Sequence, residues 1–311
     1  MNAILAFFKL IRWPNLVFIG LTQILFYFCV FQTLSQESWL STDNLLFYLL
    51  VLASLFIAAA GYIINDYFDL RIDAVNKPQK VVVDKIVKRR WAIILHWVFS
   101  AVGILISSYI SYRIGSWVIA LCNAACVLLL WFYSTTFKRK LLSGNVIVAS
   151  LTAWVILVVY FFCGANLLVL QPENYTVIDK NIFKFTVLYS GFAFMVSLIR
   201  EVVKDIEDMK GDALYNCRTM PIVWGVPTTK VFTAVWLVVC ICSLFIVQLY
   251  VWNLGWWLIS VYTDILVILP LLYVLRKLYK ASTVSNYRQL SGAIKLVMLA
   301  GILSMLFFIF I

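Results

Sequence analysis

Asn65-Asp66-Tyr67-Phe68-Asp69-Leu70-Arg71-Ile72-Asp73 stands where a long apolar run ends and a basic loop begins. A second acidic stretch, Lys204-Asp205-Ile206-Glu207-Asp208-Met209-Lys210-Gly211-Asp212, closes another apolar run much later in the chain. Both contain the pattern D-x-x-D-x-x-x-D: Asp66, Asp69 and Asp73 in the first, Asp205, Asp208 and Asp212 in the second. At about 100° per residue, steps of three and then four return to nearly the same side of a helix, so each stretch presents three carboxylates on one face. Like charges that close repel one another unless cations sit among them. Mg²⁺ takes hard oxygen ligands and typically bridges carboxylates to phosphates. Two such faces opposing each other would make a cage for a diphosphate. The plainer reading, a solvated helix end, suits one such stretch better than two with identical spacing.

The rest of the chain is apolar. Of its 311 residues 64% are hydrophobic and only 13% charged, against about 25% charged in soluble domains. Mean hydropathy is +0.98. A membrane span needs about 20 apolar residues, and nine runs qualify: 14–34, 44–64, 91–110, 115–133, 143–163, 184–204, 230–250, 255–275 and 291–311. The chain therefore reads as an all-α polytopic membrane protein, a single transmembrane domain over 1–311. Its first run reads as a span, because no small-residue cleavage site of the A-x-A kind accompanies it.

Net charge is +11, and its distribution explains it without nucleic acid. Every Lys and Arg except Arg113, Lys180 and Lys184 falls before the first run, in alternate inter-span loops or at the edges of those loops. The positive-inside rule then places the N-terminus in the cytoplasm and the C-terminus outside. Both acidic stretches fall on the cytoplasmic side. The seven cysteines form no Cys-x-x-Cys pair, and the single histidine, His96, builds no zinc site. Six cysteines lie in apolar runs and Cys217 in a polar loop.

Other segments leave alternatives open. The basic stretch Asp84-Lys85-Ile86-Val87-Lys88-Arg89-Arg90 either lies on anionic headgroups or closes over a site. Lys138 and Arg139, in the loop that begins at Tyr133, either keep that loop inside or neutralise a phosphate. Asp264 lies within the eighth run and reads as a hydrogen-bonded residue facing the bundle.

The two acidic stretches, Tyr133 to Arg139 (similar to a Y-x-x-x-x-K-R motif) and the early Arg12-Trp13-Pro14-Asn15 together resemble the UbiA-type intramembrane prenyltransferases. The resemblance extends over essentially the whole chain and implies a nine-helix bundle. It implies Mg²⁺-dependent ionisation of an isoprenoid diphosphate and attack of a lipophilic acceptor on the allylic carbocation, at a site facing the cytoplasm of a multi-pass protein among membrane lipids (the inner membrane, if bacterial). Carried over, Asn65, Asp66, Asp69, Asp73, Asp205, Asp208 and Asp212 bind metal and diphosphate, while Lys138, Arg139, Lys204 and Tyr133 contact substrate. Glu201, one turn before Asp205, is a further candidate for metal or for tethering a base. Within the family, Cys217-Arg218-Thr219-Met220-Pro221-Ile222 and Ile72-Asp73-Ala74-Val75-Asn76-Lys77-Pro78 are similar to the archaeal-type branch that adds a geranylgeranyl group to geranylgeranylglyceryl phosphate. That branch commonly continues with an R-P-I-P-S-G-like segment, where this chain has Gln79-Lys80-Val81-Val82-Val83-Asp84. A phosphate-bearing acceptor also suits the surplus of cytoplasmic-side cations, among them Lys77, Lys80, Lys210 and Arg218. The alternatives are an aromatic quinone-precursor acceptor and a membrane transporter, whose acids would line a path through the membrane.

The charge pattern carries its own test. Reporter fusions at Ser143, Thr229 and Ile311 are expected to read inside, inside and outside; a cytoplasmic reading at Ile311 would put the span count wrong by one.

Overall fold

The computed structural model describes residues 3–35, 44–79, 81–170 and 180–310. Lys80 and Ile311 lie outside them. Among the described residues nine helices are long and apolar enough to cross a membrane: Trp13–Leu34, Asn44–Phe68, Arg89–Arg113, Val118–Thr135, Ser143–Ala165, Ile182–Leu214, Gly225–Asn253, Trp257–Lys280 and Val284–Phe310. They are called the first to ninth spans below. Each expected run falls on one of them. The second and sixth spans run further than their apolar runs, because backbone hydrogen bonding continues into the acidic stretches.

The chain forms two compact units. The first comprises residues 1–137 and 154–186, the second 138–153 and 187–311. The first acidic stretch belongs to the first unit and the second stretch to the second.

In the first unit the second and third spans pack closely because a small residue permits it. A Cβ on Gly103 would sit 2.6 Å from Ile57 Cγ1 and 3.3 Å from the Ala53 carbonyl oxygen. The second span meets the fourth in the same way: a Cβ on Gly61 would sit 2.7 Å from Leu130 Cδ2. Helices that meet in a membrane gain little from hydrophobicity, since lipid is equally apolar; close packing and interhelical hydrogen bonds hold them instead. The unit supplies both. Asn123 Nδ2 donates to Ser107 Oγ at 2.8 Å, and Trp154 Nε1 donates to Asn123 Oδ1 at 3.0 Å. Gln23 Nε2 donates to Ser54 Oγ at 3.0 Å and to the Val155 carbonyl at 3.2 Å. The basic segment is anchored to this unit. Val82 and Val83 are buried in one cluster with Ala6, Leu10, Ala59, Ile63 and Ala92, while Lys85 Nζ donates to the Pro78 carbonyl at 2.9 Å.

In the second unit the sixth span divides its circumference. Val196, Ile199, Val203 and Ile206 share one face and enter a core with Leu237, Leu271, Ile294 and Val297. At about 100° per residue, Glu201, Asp205, Asp208 and Asp212 lie on the opposite face. Thr152 and Ser197 hydroxyls meet at 3.1 Å, joining the fifth and sixth spans.

Asp264 differs from expectation. It opens a π-helical turn, Asp264–Ile268, is partly exposed, and its carboxylate makes no hydrogen bond among the described residues. A π-turn admits one extra residue into the helix, and the carboxylate at its start lacks the bundle-facing hydrogen bond expected of it.

The close approach at Gly103 is testable. Gly103→Val is expected to destabilise the purified protein by about 1–3 kcal/mol through overpacking, read as a lower thermal midpoint. Gly292→Ala, whose new methyl would meet nothing within 4 Å, is expected to leave the midpoint unchanged or raise it.

Candidate active site

The first acidic stretch is helical almost throughout. Asn44–Phe68 ends one residue before Asp69, and a short helix, Leu70–Asn76, begins one residue after it. The joint does not break the register. Asp69 N donates to the Asn65 carbonyl at 2.9 Å and Asp73 N to the Asp69 carbonyl at 2.8 Å. Asp66, Asp69 and Asp73 therefore keep the shared face that their spacing implies. Asp69 is only 3% exposed, so the reading of a solvated helix end does not describe it.

Arg12 reaches this face from across the unit. Its Nη2 donates to Asp66 Oδ1 at 2.5 Å, and its guanidinium lies 5.3 Å from the centroid of Tyr62. Arg12 has φ 51°, ψ 52°, a left-handed backbone that residues other than glycine adopt at a cost. Burial works against its charge, but Asp66, with Tyr62 and Asp73, outweighs that and raises its pKa above the ordinary value. Lys9 Nζ donates to the Gln79 carbonyl at 2.9 Å, which ties the N-terminal segment to the loop beyond Asp73.

The second stretch lies wholly within the sixth span. Asp205 Oδ2 accepts from Asn145 Nδ2 at 2.8 Å, and Asn145 is itself buried near the start of the fifth span. Glu201 accepts from Arg200 Nη1 at 2.9 Å through Oε1 and from Lys204 Nζ at 2.8 Å through Oε2. It is thus a counter-ion for two cations. Lys204, expected at the leaving group, is engaged with Glu201. Glu207 accepts from Arg288 Nε at 3.0 Å. Asp212 is 6% exposed.

Lys138 and Arg139 belong to the second unit, in a single 3-10 turn, Phe137–Arg139. The Arg139 carbonyl accepts from Arg218 N at 2.8 Å, which joins this loop to the segment after the second stretch. Lys138 is half-buried and Arg139 exposed. Tyr133, also half-buried, belongs to the first unit. Cys217, expected in a polar loop, is buried at 4% exposure.

Sequence reasoning gives no role to Arg12 and Asn145. One signal points to each: Arg12 is an arginine at the head of an apolar run, and Asn145 an amide one residue after a glycine where the fifth run begins. Their partners, Asp66 and Asp205, are far off in sequence, and no periodicity connects them.

Hard oxygen donors at the first stretch suit Mg²⁺. Asn65 Oδ1 is buried and has no hydrogen-bond partner among the described residues, an amide oxygen with lone pairs to give, next in sequence to Asp66. Among the described residues no three His, Cys, Asp or Glu side chains converge into an all-protein cage. Mg²⁺ rarely uses one. It keeps several waters and takes one or two carboxylates plus substrate phosphates.

Comparison with known proteins completes the picture. The sequence model described as the UbiA prenyltransferase family matches residues 24–306, and the chain belongs to that family. It is an enzyme, a prenyltransferase built as a multi-pass membrane protein, and not a transporter. Digeranylgeranylglyceryl phosphate synthase of Sulfurisphaera tokodaii is 30% identical over 267 residues, covering 86% of this chain and 87% of that relative. A solved structure described as "Structural and mechanistic insights into the biosynthesis of Digeranylgeranylglyceryl phosphate synthase in membranes" matches with TM-score 0.60 and 25% identity, over 98% of this chain and 99% of that one. A second, of a UbiA homolog from Archaeoglobus fulgidus bound to DMAPP and Mg²⁺, matches with TM-score 0.59 and 14% identity over 96% and 98% of the two chains; that likeness is one of fold.

Asn145 offers a test independent of the acids. Asn145→Ala removes a hydrogen bond to a carboxylate and is expected to lower single-turnover prenyl transfer by about tenfold. An unchanged rate would mean that Asp205 does not depend on Asn145 for its position.

Proposed function

We propose that this prenyltransferase moves a geranylgeranyl group from its diphosphate to geranylgeranylglyceryl phosphate, with Mg²⁺, at the cytoplasmic face of the membrane. The single observation that carries the acceptor is the 30% identity to digeranylgeranylglyceryl phosphate synthase across 86% of this chain. Mg²⁺ is supported by the donor set at Asn65 and Asp66 and by the relative of like fold solved with DMAPP and Mg²⁺. One family model running from 24 to 306 spans parts of both units, which supports reading 1–311 as one transmembrane prenyltransferase domain. The distribution of basic residues supports an N-terminus and a site on the cytoplasmic side, in the inner membrane if the source is bacterial.

In this reading Asn65, Asp66, Asp69 and Asp73 hold metal and diphosphate at the first stretch, and Asp205, Asp208 and Asp212 do so at the second. Lys138, Arg139, Lys204 and Tyr133 contact substrate. When bound, Mg²⁺ supplies positive charge against the diphosphate. The chain's residues do the rest. The carboxylates would hold the metal, and the cations Lys138 and Arg139 would meet the diphosphate oxygens and hold the leaving group in place. The C–O bond of the allylic carbon breaks and its electron pair leaves with the diphosphate. The acceptor hydroxyl oxygen then forms the new C–O bond and releases its proton. The apolar spans take the isoprenoid chains and keep water from the cation. Arg12 pairs with Asp66 and orients it.

Removal of metal by chelation is expected to abolish turnover, and added Mg²⁺ to restore it. Asp66→Ala and Asp205→Ala are each expected to lower turnover at least about 100-fold, the scale of losing a principal charge partner in the transition state. Near-normal activity in both variants at limiting Mg²⁺ would end the metal-diphosphate account. The acceptor is tested separately, with geranylgeranylglyceryl phosphate and 4-hydroxybenzoate in equal amounts and products read by mass spectrometry. Exclusive prenylation of the aromatic compound would refute the acceptor and leave the prenyltransferase standing.

A further inference from the structure

The basic segment beyond the first acidic stretch has no part in the proposed chemistry. Residues 81–91 carry four cations, Lys85, Lys88, Arg89 and Arg90, against one acid, Asp84. The segment is a closed turn. Asp84 N donates to the Val87 carbonyl at 2.8 Å, and Ile86 N and Val87 N donate to the Val82 carbonyl at 3.0 and 3.3 Å. Val83 and Val87 form a β-bridge. Asp84 takes a left-handed φ of 68°, which Asp tolerates better than most residues. Val82 and Val83 are buried in one cluster with Ala6 and Leu10 of the N-terminal helix, Ala3–Leu10, and with Ala92 near the start of the third span. The turn is thus clamped from within and its cations are left outside. All four are exposed. Lys85 holds the Pro78 carbonyl and Arg89 lies 5.3 Å from the centroid of Tyr67, so neither is matched by an anion. The side chains of Lys88 and Arg90 have no hydrogen-bond or ion-pair partner among the described residues.

The same surface is apolar beside its charges. Ala6 and Leu10 turn one side of the N-terminal helix inward. At about 100° per residue Ile4, Leu5 and Phe8 share another side, and all three are exposed, as are Ile86 and Trp91 next to the cations. A helix apolar on both sides, packed on a basic turn, suits the level where hydrocarbon meets anionic headgroups. The depth agrees. Trp13 and Trp91 are exposed near the starts of the first and third spans, and tryptophan collects at the membrane–water interface. Ile11 and Ala92, within two residues of them, lie in the cluster that holds Val82 and Val83.

We propose that Lys85, Lys88, Arg89 and Arg90, with the outer side of the N-terminal helix, bind anionic phospholipid headgroups of the surrounding leaflet and thereby hold the first acidic stretch in place. Two ties connect this face to that stretch. Lys9 Nζ donates to the Gln79 carbonyl at 2.9 Å, beyond Asp73. Arg12, two residues after the same helix, pairs with Asp66. A lipid surface that seats the helix and the turn therefore steadies both ends of the segment from Asp66 to Asp73. Topology asks only for cations on this side; it does not ask for a clamped turn or for exposed apolar residues beside it.

The test uses the full-length protein in mixed micelles of phosphatidylcholine and increasing phosphatidylglycerol, with bound lipid read by native mass spectrometry. The wild type is expected to take phosphatidylglycerol in preference. A triple variant, Lys85→Gln with Lys88→Gln and Arg90→Gln, keeps Arg89 on Tyr67. It is expected to need about 10- to 100-fold more phosphatidylglycerol for half-saturation, from the attraction of each cation to an anionic surface. A control, Arg276→Gln with Lys277→Gln and Lys280→Gln, removes as many cations from the end of the eighth span and is expected to leave half-saturation unchanged. Phosphatidylglycerol is also expected to slow backbone hydrogen exchange over residues 66–79 in the wild type and not in the first variant. Neither readout involves an acceptor, so the outcome is independent of the proposed function. Equal loss in both triple variants, or a wild type that takes the two lipids alike, would overturn the lipid face. Exchange unaltered by phosphatidylglycerol in the wild type would overturn its hold on the acidic stretch.

Discussion

A carboxylate taken out of water needs a cation or a hydrogen-bond donor beside it, and this requirement recurs in both units of the protein. Hydrocarbon surrounds the helices on the outside, and apolar side chains fill much of the inside, so each acid near a span is a cost to be offset. Asp66 has Arg12. Glu201 has Arg200 and Lys204. Glu207 has Arg288, and Asp205 has the amide of Asn145. Each pairing stays within one unit. The Arg12 pair crosses from the head of the first span to the end of the second, and the Arg288 pair from the ninth span to the sixth.

Such pairs are poor devices for stability. Desolvation of two charges commonly cancels their attraction, and apolar residues of the same shape would often do as well. The pairs stand at the two acidic stretches, where the proposed reaction needs anions. Arg12 is the clearest case, held at a left-handed φ that arginine does not favour. Backbone strain that survives in a folded chain is held there by its surroundings, and the surroundings here are Asp66 and Tyr62.

The architecture is legible in the sequence because membrane spans are written in a nearly one-dimensional code. Length and hydropathy locate the spans without knowledge of their partners. Periodicity locates the acidic faces as well, since a helix turns at a fixed angle per residue: Val196, Ile199, Val203 and Ile206 fall on one side, Glu201, Asp205, Asp208 and Asp212 on the other. The boundaries are less legible. An apolar run stops at its first charge, whereas backbone hydrogen bonds continue through Asp69 to Asp73 and through Asp205 to Leu214. Asp264 also departs from its sequence reading: it opens a π-turn, of which hydropathy carries no trace.

The pairings are not legible at all, and the reason is physical. Whether a lysine is a solvated anchor or a member of a buried group depends on what crosses the bundle to meet it. Lys295 and Arg276 both count once toward the positive-inside rule, and the rule is satisfied by either. Ile294 and Val297 of the ninth span share one core with Val196 and Val203 of the sixth, and Lys295 stands between the first two in sequence. The same apolar stripe that a sequence displays openly therefore fixes the position of the charges that it conceals. Within the second unit, hydrophobic register is what sets the electrostatics.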